Sequence, residues 1–249
     1  VRIRGKHAFP SNVTLANFLN FLLLVPLLAY EPSYPRNKRI RYHYIGKKLA
    51  QMIGLGVFIY LDFMQFMVPV LMRSDVPFMY AVLKLTIPSF MAWLAGFYAG
   101  FNCWLNILAE IGMFADRRFY LDWWNTTSIE SFWRKWNLPV HEWALRHVVV
   151  DMTHYFHTSR TAAMFFTFFV SAIFHEFIFF IALNGTINFP WFFVGMLFQV
   201  PLIFISRDFI GHRRGNLIMW FGLFSGQPLL EVLYFREWFK TNSDIFCTR

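Results

Sequence analysis

The sequence predicts an all-α polytopic membrane protein, and three observations carry that reading. Of its 249 residues, 57% are hydrophobic and 21% aromatic, while 15% are charged; soluble domains carry roughly 25% charged residues. Several apolar runs reach the ~20 residues a helix needs to cross a bilayer. Basic residues gather between alternate runs, the pattern that marks cytosolic loops. Backbone groups in hydrocarbon must bond within their own segment, so these runs are read as helices.

Val1 opens the chain without an initiator Met or a signal-peptide pattern, so the chain reads as part of a longer protein. Residues 15–30 are apolar but short for a span, contain Pro26, and have basic residues on both sides: Arg2, Arg4 and Lys6 before, Arg36, Lys38, Arg39 and Arg41 after. A re-entrant or interfacial helix that returns to its starting side fits this pattern. The first span is expected over 49–71, with Asp62 and Gln65 as polar exceptions, and the second over 80–113, where Pro88 is expected to kink the helix. The third runs over 161–183, the fourth over 189–205, and the fifth over 217–235 with Gln227, Pro228 and Glu231 inside it.

Charge orients these five spans. Residues 31–48 hold Arg36, Lys38, Arg39, Arg41, Lys47 and Lys48, and residues 114–160 hold Arg117, Arg118, Arg134, Lys135, Arg146 and Arg160. In 73–79 Arg73 stands alone, and 184–190 has no basic residue. The rich segments are therefore assigned to the cytosol, and the C-terminus to the far side. With no internal repeat and no low-complexity linker, residues 1–249 read as a single domain. The +9 net charge does not indicate nucleic acid, because the basic residues alternate with apolar spans. Cys103 and Cys247 allow one disulfide at most, and no Cys/His cluster has metal-ligand spacing. The Asn-x-Ser/Thr triplets at Asn12, Asn125 and Asn184 are discounted: two fall in cytosolic segments and the third lies against the membrane.

The segment 114–160 is too polar to span. Thr127 with Glu130 has capping-box spacing, which predicts a helix start carrying Phe132, Trp133 and Trp136 on one side with Arg134 and Lys135 nearby. Asn137 before Leu138-Pro139 predicts a second helix from Leu138. Such a segment is either an amphipathic anchor at the interface or an anion-binding surface, in which Arg134, Lys135 and a helix N-terminus hold the phosphates of a large cytosolic ligand. Inside the third span lies Ser171-Ala172-Ile173-Phe174-His175-Glu176-Phe177. Ionisable side chains at that depth are costly and are read as functional. An imidazole titrating near pH ~6.5 suits a general base. Glu176, the next residue on the helix, points about 100° away.

Three words of this sequence, in order and at similar spacing, resemble the membrane-bound O-acyltransferase family in its sterol/diacylglycerol acyltransferase branch. They are Phe119-Tyr120-Leu121-Asp122-Trp123-Trp124-Asn125, matching that branch's FYxDWWN motif, then Trp136-Asn137-Leu138-Pro139-Val140-His141, then Ser171 to Phe177. The resemblance runs from about Pro10 to Trp238. Tyr30-Glu31-Pro32-Ser33-Tyr34-Pro35-Arg36 and Gly226-Gln227-Pro228 look like the diacylglycerol enzymes rather than the sterol enzymes.

The resemblance implies a helical bundle around an intramembrane chamber, of which this chain is the C-terminal portion. It also implies a multi-pass enzyme of the endoplasmic reticulum membrane, often dimeric or tetrameric, that moves a fatty acyl group from acyl-CoA to diacylglycerol. A sterol is the alternative acceptor. Acyl-CoA is a substrate, and no cofactor or metal is implied. His175 would be the base, and Asn137 and Gln227 would orient the thioester or donate to the oxyanion; for Gln227 an interhelical hydrogen bond is the equal alternative. Glu176 would meet the acceptor or pair with another helix. Trp133, Arg134, Asn137, His141 and Ser171 would contact acyl-CoA. Some relatives have Tyr where Val149 stands here, so a contact made through that Tyr would be lost. Trp123 and Trp124 are expected to be structural or interfacial. Glu110 would be a wall of the chamber or an interfacial residue, the latter being favoured. Against a lipid or ion transporter using the intramembrane His and Glu, the sequence shows no internal repeat and no paired discontinuous helices at matching positions. A non-catalytic lipid-binding protein would be separated from an enzyme by thioester consumption.

Overall fold

The computed structural model describes residues 10–31, 34–73, 75–186, 188–208 and 212–242, with the backbone alone for 204–208 and 212. Cys247, Pro32 and Ser33 lie outside the described residues. Eight helical elements organise the chain: α1 (Leu15–Leu24), α2 (Tyr42–Leu71), α3 (Phe78–Ile111), α4 (Ile129–Trp136), α5 (Leu138–Ala144, continued by a π segment Leu145–Val150 and by Asp151–Tyr155), α6 (Arg160–Ala182), α7 (Trp191–Asp208) and α8 (His212–Thr241). Among the described residues there is no strand, only an isolated antiparallel bridge between Arg36 and Phe114. This is an all-α, multi-pass membrane protein. α2, α3, α6 and the Arg213–Thr241 part of α8 are long and apolar enough to cross a bilayer. Where the fourth span is expected over 189–205 stands the helix α7, whose described apolar part, Trp191–Ile203, is shorter than those four.

Local chemistry sets the boundaries. The Thr14 side chain caps α1 by accepting from the Asn17 N–H at 3.2 Å. α1 then ends at Leu24 instead of running to residue 30, because Pro26 forces Val25 into an extended conformation (φ −86°, ψ 117°). α2 contains a π segment, Phe63–Met67, just before Pro69. The widened turn accommodates a ring that would otherwise crowd the carbonyl four residues back. α3 continues as helix through Pro88 and holds a second π segment, Tyr98–Trp104.

α8 packs along α3, and α7 along α6. Met67, Leu71, Val82, Leu85 and Val232 form the core between α2, α3 and α8. A second, aromatic core of Phe97, Trp123, Phe132 and Met219 seats the 114–160 segment on α3. There Trp136 stacks on Trp93, with centroids 5.5 Å apart at 12°. The segment is thus a packed element of the bundle, beyond a surface anchor. Where α1 meets the end of α3, Gly112 is required: a Cβ there would lie 2.8 Å from the Leu24 carbonyl oxygen.

Glu110 corrects a sequence expectation. Instead of lying at the interface it is fully buried. Its Oε1 accepts from the Arg41 backbone N–H and Nε, each at 2.9 Å. Its Oε2 accepts from Arg41 Nη2 at 2.8 Å and Arg117 Nη2 at 2.7 Å. A carboxylate removed from water is held by such charge-assisted donors. It ties the chain before α2 and the chain after α3 to one point.

Candidate active site

The FYxDWWN segment works first as a brace for the site. The Leu121 N–H donates to the Lys135 carbonyl at 2.8 Å, and the Leu138 N–H donates to the Phe119 carbonyl at 3.0 Å. Residues 119–121 therefore satisfy one backbone group at the end of α4 and one at the start of α5. Phe119 and Trp123 are buried. The Tyr120 hydroxyl accepts from Asn102 Nδ2 at 3.0 Å. Asp122 accepts from Lys135 Nζ at 2.8 Å, a bond that holds the Asp122 carboxyl below its ordinary range. Trp124 is exposed, and its carbonyl accepts from Asn216 and Trp220 of α8. Asn125 is exposed and closes the 3-10 turn Trp123–Asn125.

The cap of α4 is Ser128, not Thr127. Ser128 is extended, and its hydroxyl accepts from the Ser131 N–H at 3.1 Å. The spacing of Thr127 and Glu130 pointed to the right turn but was offset by one residue; Ser128 and Ser131 have the same three-residue spacing and make the bond. Asn137 caps α5 as expected, accepting from the Val140 N–H at 3.2 Å, with Pro139 in the first turn. Its side-chain oxygen thereby fixes the corner between α4 and α5.

Beneath this corner lies a cavity of 110 Å³ whose lining includes Trp133, Arg134, His141, Val149, Arg160 and Phe168. Three residues expected to contact acyl-CoA are thus brought together with Val149. The volume suits one part of a ligand, well below the ~300–1,000 Å³ of whole-ligand sites. Trp133 Nε1 donates to Gln199 Oε1 of α7 at 3.1 Å, and its ring meets Phe168 edge-on at 5.5 Å. Arg134 pairs with Glu130 one turn earlier. Lys135 is drawn away to Asp122, so the two cations of α4 are separated. Burial pushes the His141 imidazole below its ordinary value, leaving it neutral at pH 7. Sequence reasoning missed Arg160 and Gln199. In the sequence Arg160 reads only as a loop charge, and Gln199 gives no signal because its partner is 66 residues away.

From the cavity a stripe of mostly polar side chains follows α6. Arg160, Met164 and Thr167 line the cavity; Ser171 and His175 continue at steps of four. One face of the helix therefore leads from cavity to imidazole. The His175 Nδ1 lies 2.7 Å from the Ser171 carbonyl oxygen and 3.4 Å from its hydroxyl. A carbonyl can only accept, so Nδ1 is the donor of that contact, and in the neutral ring Nε2 is then the acceptor. The ring stacks flat on Phe192 at 5.1 Å and 5° and is exposed at the surface of the bundle formed by the described residues. It does not line the 110 Å³ cavity. Ser171 touches His175 rather than the cavity. Glu176 turns to its neighbours: its Oε2 accepts from the Phe193 N–H at 2.9 Å and from the Tyr234 hydroxyl at 2.8 Å. Gln227 is half-buried on α8, one residue before Pro228.

The sequence matches the model of the membrane-bound O-acyltransferase family over residues 4–236. It is 36% identical to diacylglycerol O-acyltransferase 1 of Dictyostelium discoideum, over 95% of this chain and 39% of that protein. It is 39% identical to diacylglycerol O-acyltransferase 1A of Glycine max, over 92% of this chain and 48% of that protein. It is 36% identical to diacylglycerol O-acyltransferase 1 of Bos taurus, over 95% of this chain and 49% of that protein. The chain spans half or less of the length of these curated relatives.

Proposed function

The chain belongs to the membrane-bound O-acyltransferase family, and from that premise we propose that it is part of an enzyme that moves a fatty acyl group from acyl-CoA to the hydroxyl of diacylglycerol, giving triacylglycerol. The observation that carries this reading is one face of α6, which runs from a cavity lined by Trp133, Arg134, His141 and Arg160 to the His175 imidazole, whose Nδ1 faces the Ser171 carbonyl. Arg134 and Arg160 supply positive charge for a phosphate, with Arg offering a planar fork, and Trp133 supplies an aromatic wall. Thr167 and Ser171 mark the path of the thioester inward.

His175 Nε2 takes the acceptor's hydroxyl proton as that oxygen bonds to the thioester carbonyl. The tetrahedral oxyanion collapses, the C–S bond breaks, and CoA leaves as thiolate, to which the proton returns. Amide donors from Asn137 and Gln227 stabilise the oxyanion. The side-chain oxygen of Asn137 already caps α5, which leaves its Nδ2 for that role. The transfer is direct and uses acyl-CoA as substrate with no cofactor. The enzyme resides in the endoplasmic reticulum membrane and acts as a homo-oligomer. Fluorescent tagging beside an organelle marker and mass photometry of the purified protein test those two assignments.

The deciding assay supplies labelled acyl-CoA to the purified full-length protein and to His175→Ala, with diacylglycerol or with a sterol. The expected result is labelled triacylglycerol from the wild type and a loss of about 100-fold or more in the variant, the contribution typical of a general base. Undiminished turnover by His175→Ala would remove His175 as the base. Turnover of the sterol alone would replace diacylglycerol as acceptor, and an unconsumed thioester would reject the acyltransferase reading.

A further inference from the structure

At the end of the bundle opposite the 114–160 segment, α3, α7 and α8 leave a cavity of 590 Å³. Asn216, near the start of α8, bonds the Trp124 carbonyl. Lys240, which lines the cavity, lies about 36 Å further along that helix at 1.5 Å per residue. The volume falls within the ~300–1,000 Å³ of ligand sites. Phe78, Trp191 and Leu233 form apolar walls, and Arg236, Glu237 and Lys240 bring charge.

The charges are unbalanced locally. Arg236 and Lys240 stand one turn apart on the same face of α8, where like charges repel. The Glu237 carboxylate between them leaves one cation in excess and turns its oxygens to neutral donors of the cavity wall. Glu237 Oε1 accepts from the backbone N–H groups of Asn188 (2.5 Å) and Phe189 (3.1 Å), and its Oε2 accepts from Trp191 Nε1 (2.8 Å). Arg236 donates from Nη2 to the Val76 carbonyl and lies 5.5 Å over the Phe78 ring, which leaves other donors of its fork unassigned. Lys240 Nζ makes no hydrogen bond or ion pair with a described residue. A cation in the last turn of a helix does complement the helix dipole. That accounts for Lys240 by itself, but not for a second cation one turn earlier facing the same open cavity.

We propose that this cavity binds an anionic phospholipid, with the phosphate between Arg236 and Lys240 and the first methylenes of the chains against Phe78, Trp191 and Leu233. A phosphate offers acceptors to both the guanidinium and the ammonium, and its charge relieves their repulsion. The apolar walls select a lipid over free phosphate, because phosphate alone would leave that surface uncovered. The site lies at the opposite end of α8 from the acyl-CoA cavity and does not depend on the proposed reaction.

The test is native mass spectrometry of the purified full-length protein in detergent, titrated with dioleoyl phosphatidic acid, with phosphatidylcholine of the same chains, and with inorganic phosphate. Three variants accompany it. Lys240→Gln removes the exposed cation. Arg236→Gln removes the guanidinium. Arg73→Gln removes a charge that pairs with Asp75 outside the cavity. The expected result is saturable binding of one phosphatidic acid, weakened about tenfold by Lys240→Gln, as expected for one charge-assisted contact, and unaffected by Arg73→Gln. Should Arg236→Gln fail to fold, Lys240→Gln alone decides. Binding unchanged by Lys240→Gln, equal loss in Arg73→Gln, or affinity matched by phosphatidylcholine or inorganic phosphate overturns the proposal.

Discussion

Replacing Glu110 with Gln keeps the shape of the side chain and removes its charge, which isolates what the buried carboxylate contributes. Four donors converge on it: the Arg41 backbone N–H, Nε and Nη2, and Arg117 Nη2. Glu110 is fully buried, whereas the side chains of Arg41 and Arg117 are 53% and 23% exposed. Removing one partner of a buried pair costs about 3–5 kcal/mol. Arg41 recovers hydration easily, so the loss should fall at the low end, about 3 kcal/mol. In a chain of this size that lowers the unfolding midpoint by about 6–12 °C. The reporter is built in: Cys103, buried on the same helix, reacts with a thiol-specific fluorophore only when the bundle opens, provided Cys247 is changed to Ser. Arg117→Met should cost more than Arg41→Met, because Arg117 is the more buried of the two and loses less to solvent screening. An unshifted midpoint for Glu110→Gln, or a larger effect from Arg41→Met than from Arg117→Met, would refute the reasoning.

Three further outcomes follow from the same geometry. Arg134→Gln should raise the KM for acyl-CoA several-fold while Lys135→Gln leaves it unchanged, because Lys135 is held by Asp122 outside the cavity; equal effects in a KM assay would sink that distinction. Asn137→Ser should preserve the α5 cap, whereas Asn137→Ala should lose about 1 kcal/mol of stability. If the amide also acts in the reaction, Asn137→Ser lowers kcat at an unchanged midpoint. His141 is held below its ordinary value by burial, so the unfolded chain binds the proton first as pH falls. Stability should be highest above about pH 6.5 and decline on acidification toward the lowered value; midpoints measured across that window should show a smaller decline in His141→Gln.

Apolar length in the sequence located the helices well. The expected 161–183 span is Arg160–Ala182, and Asn137 caps α5 as its position before Leu-Pro implied. Period and cap chemistry are local, so the chain states them openly. The failures concern distant partners. Glu110 read as interfacial because Arg41 lies 69 residues away, and Trp133 gave no hint of Gln199. Residues 15–30 looked continuous by hydropathy, but the restriction that Pro26 places on Val25 outweighed it. The candidate site was legible as residue types and order. Its division of labour was not: Arg134 lines the cavity while Lys135 braces Asp122, a consequence of where residues 119–122 fold back.

The contacts of Glu176 bear on how any change at that position should be read. Its carboxylate fastens the beginning of α7 and the phenol of Tyr234 to α6, directly beside the imidazole. Phe192, the ring on which His175 lies, belongs to that same beginning of α7 and donates its own N–H to Tyr234. Shortening Glu176 to Asp would let the platform under His175 drift while leaving the imidazole chemically intact, so lost turnover in such a variant would measure alignment and would not make the carboxylate a reactant.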